Sequence, residues 1–245
     1  MDNAPLILSV ETATLAGSVS LTRGNKVLLT LSGDNEVSHS NRLLSEIHDV
    51  LSQTGYSLRD LDFFAVATGP GSFTGLRIGI ATVKGLAYTL KRPCIGVPTL
   101  HAVAHSAKSC ERVVAVLPAG RGEVFVQMFQ VSSEEIIPLD TATHIDPLSM
   151  LEKYSQFADL CWCGEGAHLH REKIQAWAER NGRQLLQSNP DTEGWRLVPK
   201  TIMLAEQVGV LAFRMARDQQ FQSPETLRAI YVRPSDAELK TKSAE

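Results

Sequence analysis

The chain has 245 residues, 43% of them hydrophobic, and its 24 basic against 27 acidic residues give a formal charge of −3. That length buries a substantial core as one large domain or two small ones, and the mild charge, with no long basic run, argues against strong phosphate-driven nucleic-acid binding by this chain alone. No signal peptide is visible and every apolar run is far too short to span a bilayer, so the sequence reads as cytoplasmic, with no membrane partner.

Residues 6–10 are mostly apolar, and 18–22 and 27–31 bracket the turn Arg23-Gly24-Asn25-Lys26, which predicts two or three strands. Ser38 is placed to cap a helix over 39–54, where Leu43, Leu44, Ile47, Val50 and Leu51 recur at intervals of three and four. Gly55 ends it. A strand at 63–67 and a helix at 73–90 follow, then a short strand at 93–97. Pro98 stands at the entry of a helix around 100–109, so the first part runs β-β-β-α-β-α-β-α. Beyond it, 113–117 and 123–131 read as a strand pair around Gly120-Arg121-Gly122. A short helix at 147–154, a strand at 160–163, a helix at 168–181 and a strong helix at 201–217 complete the pattern. Two halves of strands followed by helices suggest a duplicated α/β unit.

The most informative stretch is 69–79, GPGSFTGLRIG, between the predicted strand and helix. Gly71, Gly75 and Gly79 are spaced four apart and stack on one side of a helix, at a cost of roughly 1 kcal/mol of helix propensity each. Such a bare stripe serves close backbone packing or contact with a ligand. The phosphate-loop motif fails because Leu76-Arg77 follows Gly75, and the dinucleotide fingerprint fits poorly. Close packing is the better reading of the spacing.

As a phrase, VATGPGSFTGLRIG (66–79) resembles the signature of the bacterial TsaB (YeaZ) family. The opening LILSVETAT with Gly17-Ser18-Val19-Ser20-Leu21 resembles that family's first hairpin, although the family usually has Asp where Glu11 stands. His39-Ser40-x-x-Leu43-Leu44, the stretch 93–100, Arg121-Gly122-Glu123-Val124-Phe125 and Tyr231-Val232-Arg233 fall in the expected order. The likeness covers most of 6–130, is thin over 131–225 and returns near Tyr231.

The resemblance implies the α/β actin, sugar-kinase and Hsp70-like fold, with two similar lobes, each a mixed sheet with helices, facing a cleft. The lobes are expected at 1–110 and 111–233, with the helix 201–217 free to pack back on the first and 234–245 a frayed tail. It also implies a non-catalytic subunit that binds and activates TsaD. TsaD transfers the threonylcarbamoyl group to the adenosine beside the anticodon of ANN-decoding transfer RNAs. TsaE would join as a third component, ATP would be used by the partners, and tRNA would be met only through the complex. Relatives dock through the two helices at 39–54 and 73–90 and self-associate through the same pair. Carried onto this sequence, the contact residues are His39, Leu43, Leu44, Ile47, Leu51, Gly71, Phe73, Gly75, Leu76, Gly79, Ile80 and Val83. Both helices also carry more apolar surface than one sheet face needs.

No catalytic residue, cofactor site or metal site is assigned. His101-x-x-x-His105 has metal-ligand spacing, but the ligand positions of TsaD align with Thr99 and Val103. A two-residue offset turns the ligands by about 200° around the helix. Glu11 stands where kinases of this fold carry an acid; read by itself it is a partly exposed carboxylate at a strand end. His39 with Ser72 or Ser40 lacks an acid partner, and Pro118 and Gly120 replace the Asp and Arg that relatives carry before the Arg121 turn. The four cysteines, Cys94, Cys110, Cys161 and Cys163, read as reduced, buried thiols, with Cys161 and Cys163 on one face of a strand. The rival from another class is an ATP-dependent phosphotransferase of the same fold acting alone. Metallopeptidase activity, attached to the family by an older label, would need a metal.

Overall fold

In the computed structural model, which describes residues 4–32, 39–187, 194–201 and 203–232, the apolar and β-branched run at the start forms three strands. These are Leu6–Glu11 (β1), Ser18–Arg23 (β2) and Lys26–Ser32 (β3), paired antiparallel with Leu8 opposite Leu21 and Val10 opposite Val19. His39–Thr54 (α1) follows, ended by Gly55 at φ +74°, and then Phe63–Gly69 (β4), Phe73–Leu90 (α2), Cys94–Pro98 (β5) and Thr99–His105 (α3). Strands β4 and β5 add in parallel beside β1, giving the order β3-β2-β1-β4-β5.

The second sheet repeats that plan. Cys110–Gly120 (β6) and Glu123–Val131 (β7) form an antiparallel hairpin, extended by Ile136–Pro138 (β8) and Thr143–Ile145 (β9) on the far side of β7. After Pro147–Tyr154 (α4), the strand Leu160–Cys163 (β10) pairs in parallel with β6. Glu165–Leu169 (α5), Arg171–Arg180 (α6), Leu185–Gln187 (β11), Trp195–Leu197 (β12) and Leu204–Arg217 (α7) complete the described elements. In each half a hairpin supplies two strands and the next strands add in parallel to the first of them, so the duplicated α/β plan is visible in the topology.

The core lies in three slabs. One joins α1 and α2 to the outer face of the first sheet through Leu43, Ile47, Val50, Ile80 and Val83. A central slab holds α3 and α7 between the two sheets, and the third packs α4 and α6 on the second sheet around Trp162 and Trp195. Helix α7 lies on β1 and β2: Ser18 Oγ accepts from the Ala205 amide at 2.9 Å, and Gly209 packs onto Ser9 and Thr22.

The structure departs from the expected elements at several points. The helix expected at 168–181 is broken at His170 (φ −104°, ψ 20°) into α5 and α6, and α3 ends at His105, short of 109. The three-residue strands β8, β9, β11 and β12 were not expected, since so short a run carries no readable alternation. Helix α7 begins at Leu204, where Ser18 from the first sheet caps it, so its start is set by a distant residue. Ser38 and the tail at 234–245 lie outside the described residues.

Candidate functional site

The glycine-rich phrase is built around the turn that leaves β1. Thr12 lays its carbonyl oxygen where a side chain on Gly75 would stand, and its hydroxyl donates to the Gly75 carbonyl at 2.8 Å. A Cβ on Gly79 would overlap the same hydroxyl, and one on Gly71 would lie 2.5 Å from the Ala13 carbonyl oxygen. The Ser72 amide donates to that Ala13 oxygen at 2.8 Å, while Ser72 Oγ caps α2 by accepting from the Gly75 amide at 3.2 Å. The stripe therefore serves close backbone packing within the chain. Polypeptide, not open solvent, covers the first turn of α2 on that side.

Of the residues expected at a partner surface, Leu43, Ile47, Leu51, Leu76, Ile80 and Val83 are buried by the chain's own core, and Gly71, Gly75 and Gly79 face Thr12 and Ala13. Phe73 is half-buried between the Arg77 guanidinium, 3.9 Å from its ring centre, and the Tyr231 ring at 5.2 Å. Leu44 is 63% exposed. His39 opens α1, but its side chain lies outside the described residues.

The outer side of the two helices carries residues that the sequence reading did not single out. Tyr88 is 70% exposed, and Gly85 has nothing within 4 Å of where a Cβ would be. A groove of about 470 Å³ runs between α1 and the following turn, lined by Leu44, His48, Leu51, Tyr56, Leu58 and, from α2, Leu86. Arg42 ties the start of α1 to the segment after β1: its guanidinium donates to the Ala16 carbonyl and meets Glu46 at 3.1 Å. A signal for Gly85 was available, because it follows Gly79 by six residues and so lies about 240° around the helix from the stripe.

The region where the ends of β1, β6 and β10 face one another is nearly filled. A cavity of about 80 Å³ remains, lined by Thr14, Ser106, Leu117, Gly164, Glu165 and Lys200, whereas small-molecule pockets run to roughly 300–1,000 Å³. Glu11 is fully buried here, a correction to the partly exposed carboxylate expected. Its two oxygens accept from the Thr14 amide and hydroxyl, each at 2.7 Å, so it shapes the turn that carries Thr12 and Ala13. Burial pushes its pKa up, the Thr14 bonds pull it down, and the Glu165 charge pushes it up again.

His105 Nδ1 lies 2.5 Å from Gln207 Oε1, and His101 sets its ring edgewise to Phe129 at 4.8 Å; burial lowers both pKa values. Among the described residues, no three His, Cys, Asp or Glu side chains are grouped to hold a metal ion. Ser72 is the cap of α2, and the side chains of His39 and Ser40 lie outside the described residues. In the Gly120-Arg121-Gly122 turn all three residues have positive φ, and Glu123 pairs with His144 at 2.9 Å. The expectation of four reduced thiols is corrected for two of them. Cys110 and Cys161 form a disulfide between β6 and β10, because pairing of those strands brings together residues far apart in the chain. Cys94 and Cys163 are free and buried. Among the described residues no helix is long and apolar enough to cross a membrane.

Comparison with known proteins follows the same lines. The family model for TsaD, tRNA N6-adenosine threonylcarbamoyltransferase, matches residues 35–165, just over half of the chain. The Escherichia coli tRNA threonylcarbamoyladenosine biosynthesis protein TsaB is 39% identical over 130 residues, 51% of this chain and 54% of that protein. The Bacillus subtilis protein of the same name is 27% identical over 69% of this chain and 75% of its own. The match to the Escherichia coli relative thus spans about half of that relative's length. YeaZ from Pseudomonas aeruginosa superposes with a TM-score of 0.71 at 26% identity, covering 93% of this chain and 99% of that one. A second structure, described as an uncharacterized protein with similarity to peptidase YeaZ, gives 0.74 at 26%, over 94% and 100%. With its two similar mixed sheets, the chain has the α/β actin, sugar-kinase and Hsp70-like fold. It belongs to the TsaD family, within which its similarity groups it with the TsaB (YeaZ) proteins.

Proposed function

We propose that this chain is a non-catalytic subunit in the biosynthesis of threonylcarbamoyladenosine in tRNA, binding TsaD and holding it in its active state. A protein that binds one state of its partner better than another shifts the partner's population by that difference and needs no reacting group of its own. The observation that carries this proposal is the outer side of α1 and α2, where Leu44, Gly85, Tyr88 and the groove beside Leu86 leave apolar side chains exposed on the helix pair. The buried Leu43, Ile47, Leu51, Ile80 and Val83 pack beneath the helix pair on the first sheet, Leu76 packs into the central core, and Phe73 is half-buried at the start of α2. TsaD presents its matching helix pair, TsaE joins the assembled complex, and the threonylcarbamoyl group passes to the adenosine beside the anticodon of ANN-decoding tRNAs. ATP is consumed by the partners. Self-association through the same helices competes with TsaD, so homodimer and heterodimer exclude one another. In this scheme 1–110 and 111–233 act as the two lobes, the first presenting the partner surface.

The test is to mix the purified chain with TsaD of the same organism and measure mass by size exclusion with light scattering. A one-to-one complex is expected, and it should be lost in the double variant Leu44→Arg with Tyr88→Arg while the variant keeps its melting temperature. Ile80 and Gly75 are unsuitable as probes, since one is buried and the other lies against the Thr12 backbone. Failure to form a complex, with and without ATP and TsaE, would overturn the proposal.

A further inference from the structure

The four cysteines divide into two kinds. Cys94 and Cys163 are buried, and burial pushes the Cys94 thiol up to about 11 and the Cys163 thiol higher still, which leaves both unreactive. Cys110 stands three residues before Val113, the register partner of Cys161 on the neighbouring parallel strand; the two Cα atoms are 6.9 Å apart, and the bridge links positions 51 apart in the chain. Their two sulfurs are not equivalent. Cys161 is 4% exposed, whereas Cys110 is half-buried and has Arg196 Nη2 3.5 Å from its sulfur. A guanidinium beside a sulfur favours its thiolate, the form that attacks and leaves in disulfide exchange. Cys110 is also the first residue of β6, reached through residues 106–109 as the chain passes from the first sheet to the second.

We propose that Cys110 and Cys161 are a reversible thiol–disulfide site, oxidised by low-molecular-weight disulfides, that fastens the second sheet where the chain enters it. The Cys110 thiolate attacks the small disulfide, forming a mixed disulfide and releasing one thiolate, which takes up a proton. The Cys161 thiolate then attacks the Cys110 sulfur, expelling the second small thiolate, which is protonated in turn. Two cysteine thiols and one small disulfide become one protein disulfide and two small thiols, so atoms and electrons balance. The reverse sequence, with Cys110 as leaving group beside Arg196, reopens the site.

The full chain is equilibrated with graded ratios of glutathione and glutathione disulfide, acid-quenched, unfolded and alkylated with N-ethylmaleimide, and its cysteine peptides are mapped by mass. Cys110 and Cys161 should lose and regain alkylation together across the series, in a monomer two hydrogens lighter when oxidised, while Cys94 and Cys163 remain thiols throughout. In the reduced, folded protein Cys110 should be alkylated first, several-fold faster than in Arg196→Gln, with Arg196→Lys restoring much of the rate. Cys161→Ser should abolish the cross-link. Should that variant fail to fold, mapping of the unmodified chain still decides. Full alkylation of both cysteines at every ratio, a cross-link only between chains, or a disulfide that survives the most reducing buffer would each overturn the proposal.

Discussion

The two sides of α2 show how one helix serves opposite ends with the same residue type. On the inner side Gly71, Gly75 and Gly79 admit the backbone of Thr12 and Ala13, and any side chain there collides with a carbonyl or hydroxyl. On the outer side Gly85 opens on space, between a 70% exposed Tyr88 and the groove beside Leu86. A glycine is thus informative only together with what faces it. The inner three let the helix approach the turn after β1 closely, and the outer one leaves its face of the helix flat and open.

Substitution can break this contrast. Gly75→Ala should cost at least ~3 kcal/mol in a urea unfolding curve, because the Thr12 carbonyl is backbone and cannot swing aside. Next in size, Leu44→Arg with Tyr88→Arg should weaken TsaD binding by about thirty-fold or more, roughly 2 kcal/mol, in a titration calorimeter. The melting temperature should stay near that of the unmodified chain. Gly85→Ala should have the opposite sign from Gly75→Ala, raising stability by about 1 kcal/mol through helix propensity alone. A loss of stability at Gly85 would mean that the outer face is covered in solution.

The smallest effect is a pH dependence, which separates the turn under the stripe from the central slab. Burial raises the Glu11 pKa above its ordinary 4.5, so the folded state holds that proton more tightly than the unfolded chain. Its contribution is fully present below 4.5 and is lost as pH rises through the folded value. His101 and His105 run the other way: their values are lowered from 6.5, so their contribution is present above 6.5 and is lost as pH falls through the folded values. Glu11→Gln should flatten the part of the fall in melting temperature that sets in as pH rises above 4.5, and His101→Asn the part that sets in as pH drops below 6.5. An unchanged profile in both variants would show that neither group carries the dependence.

Much of the site was legible because its signals are local. The period of three and four in α1, the glycines spaced four apart at the entry and first turns of α2, and the apolar run of β1 each arise within a few residues, and each formed as expected. The fate of Leu43, Ile47 and Val83 was not local. A helical stripe reports that a side chain must be covered, and the first sheet covers these. Glu11 was misjudged for the same reason: nothing in 11–14 tells that α2 and the second sheet close over that turn.

The sequence by itself determined the longer elements, their order along the chain, and the need for a close approach at 71, 75 and 79, since propensity, periodicity and the lack of a Cβ act at short range. Only the tertiary structure decided that Thr12 fills that approach, that Leu44, Gly85 and Tyr88 face outward, and that Cys110 meets Cys161. Those outcomes depend on which sheets and helices pack together. Packing is set by the sum of many buried contacts between distant residues, and no short stretch of the chain records that sum.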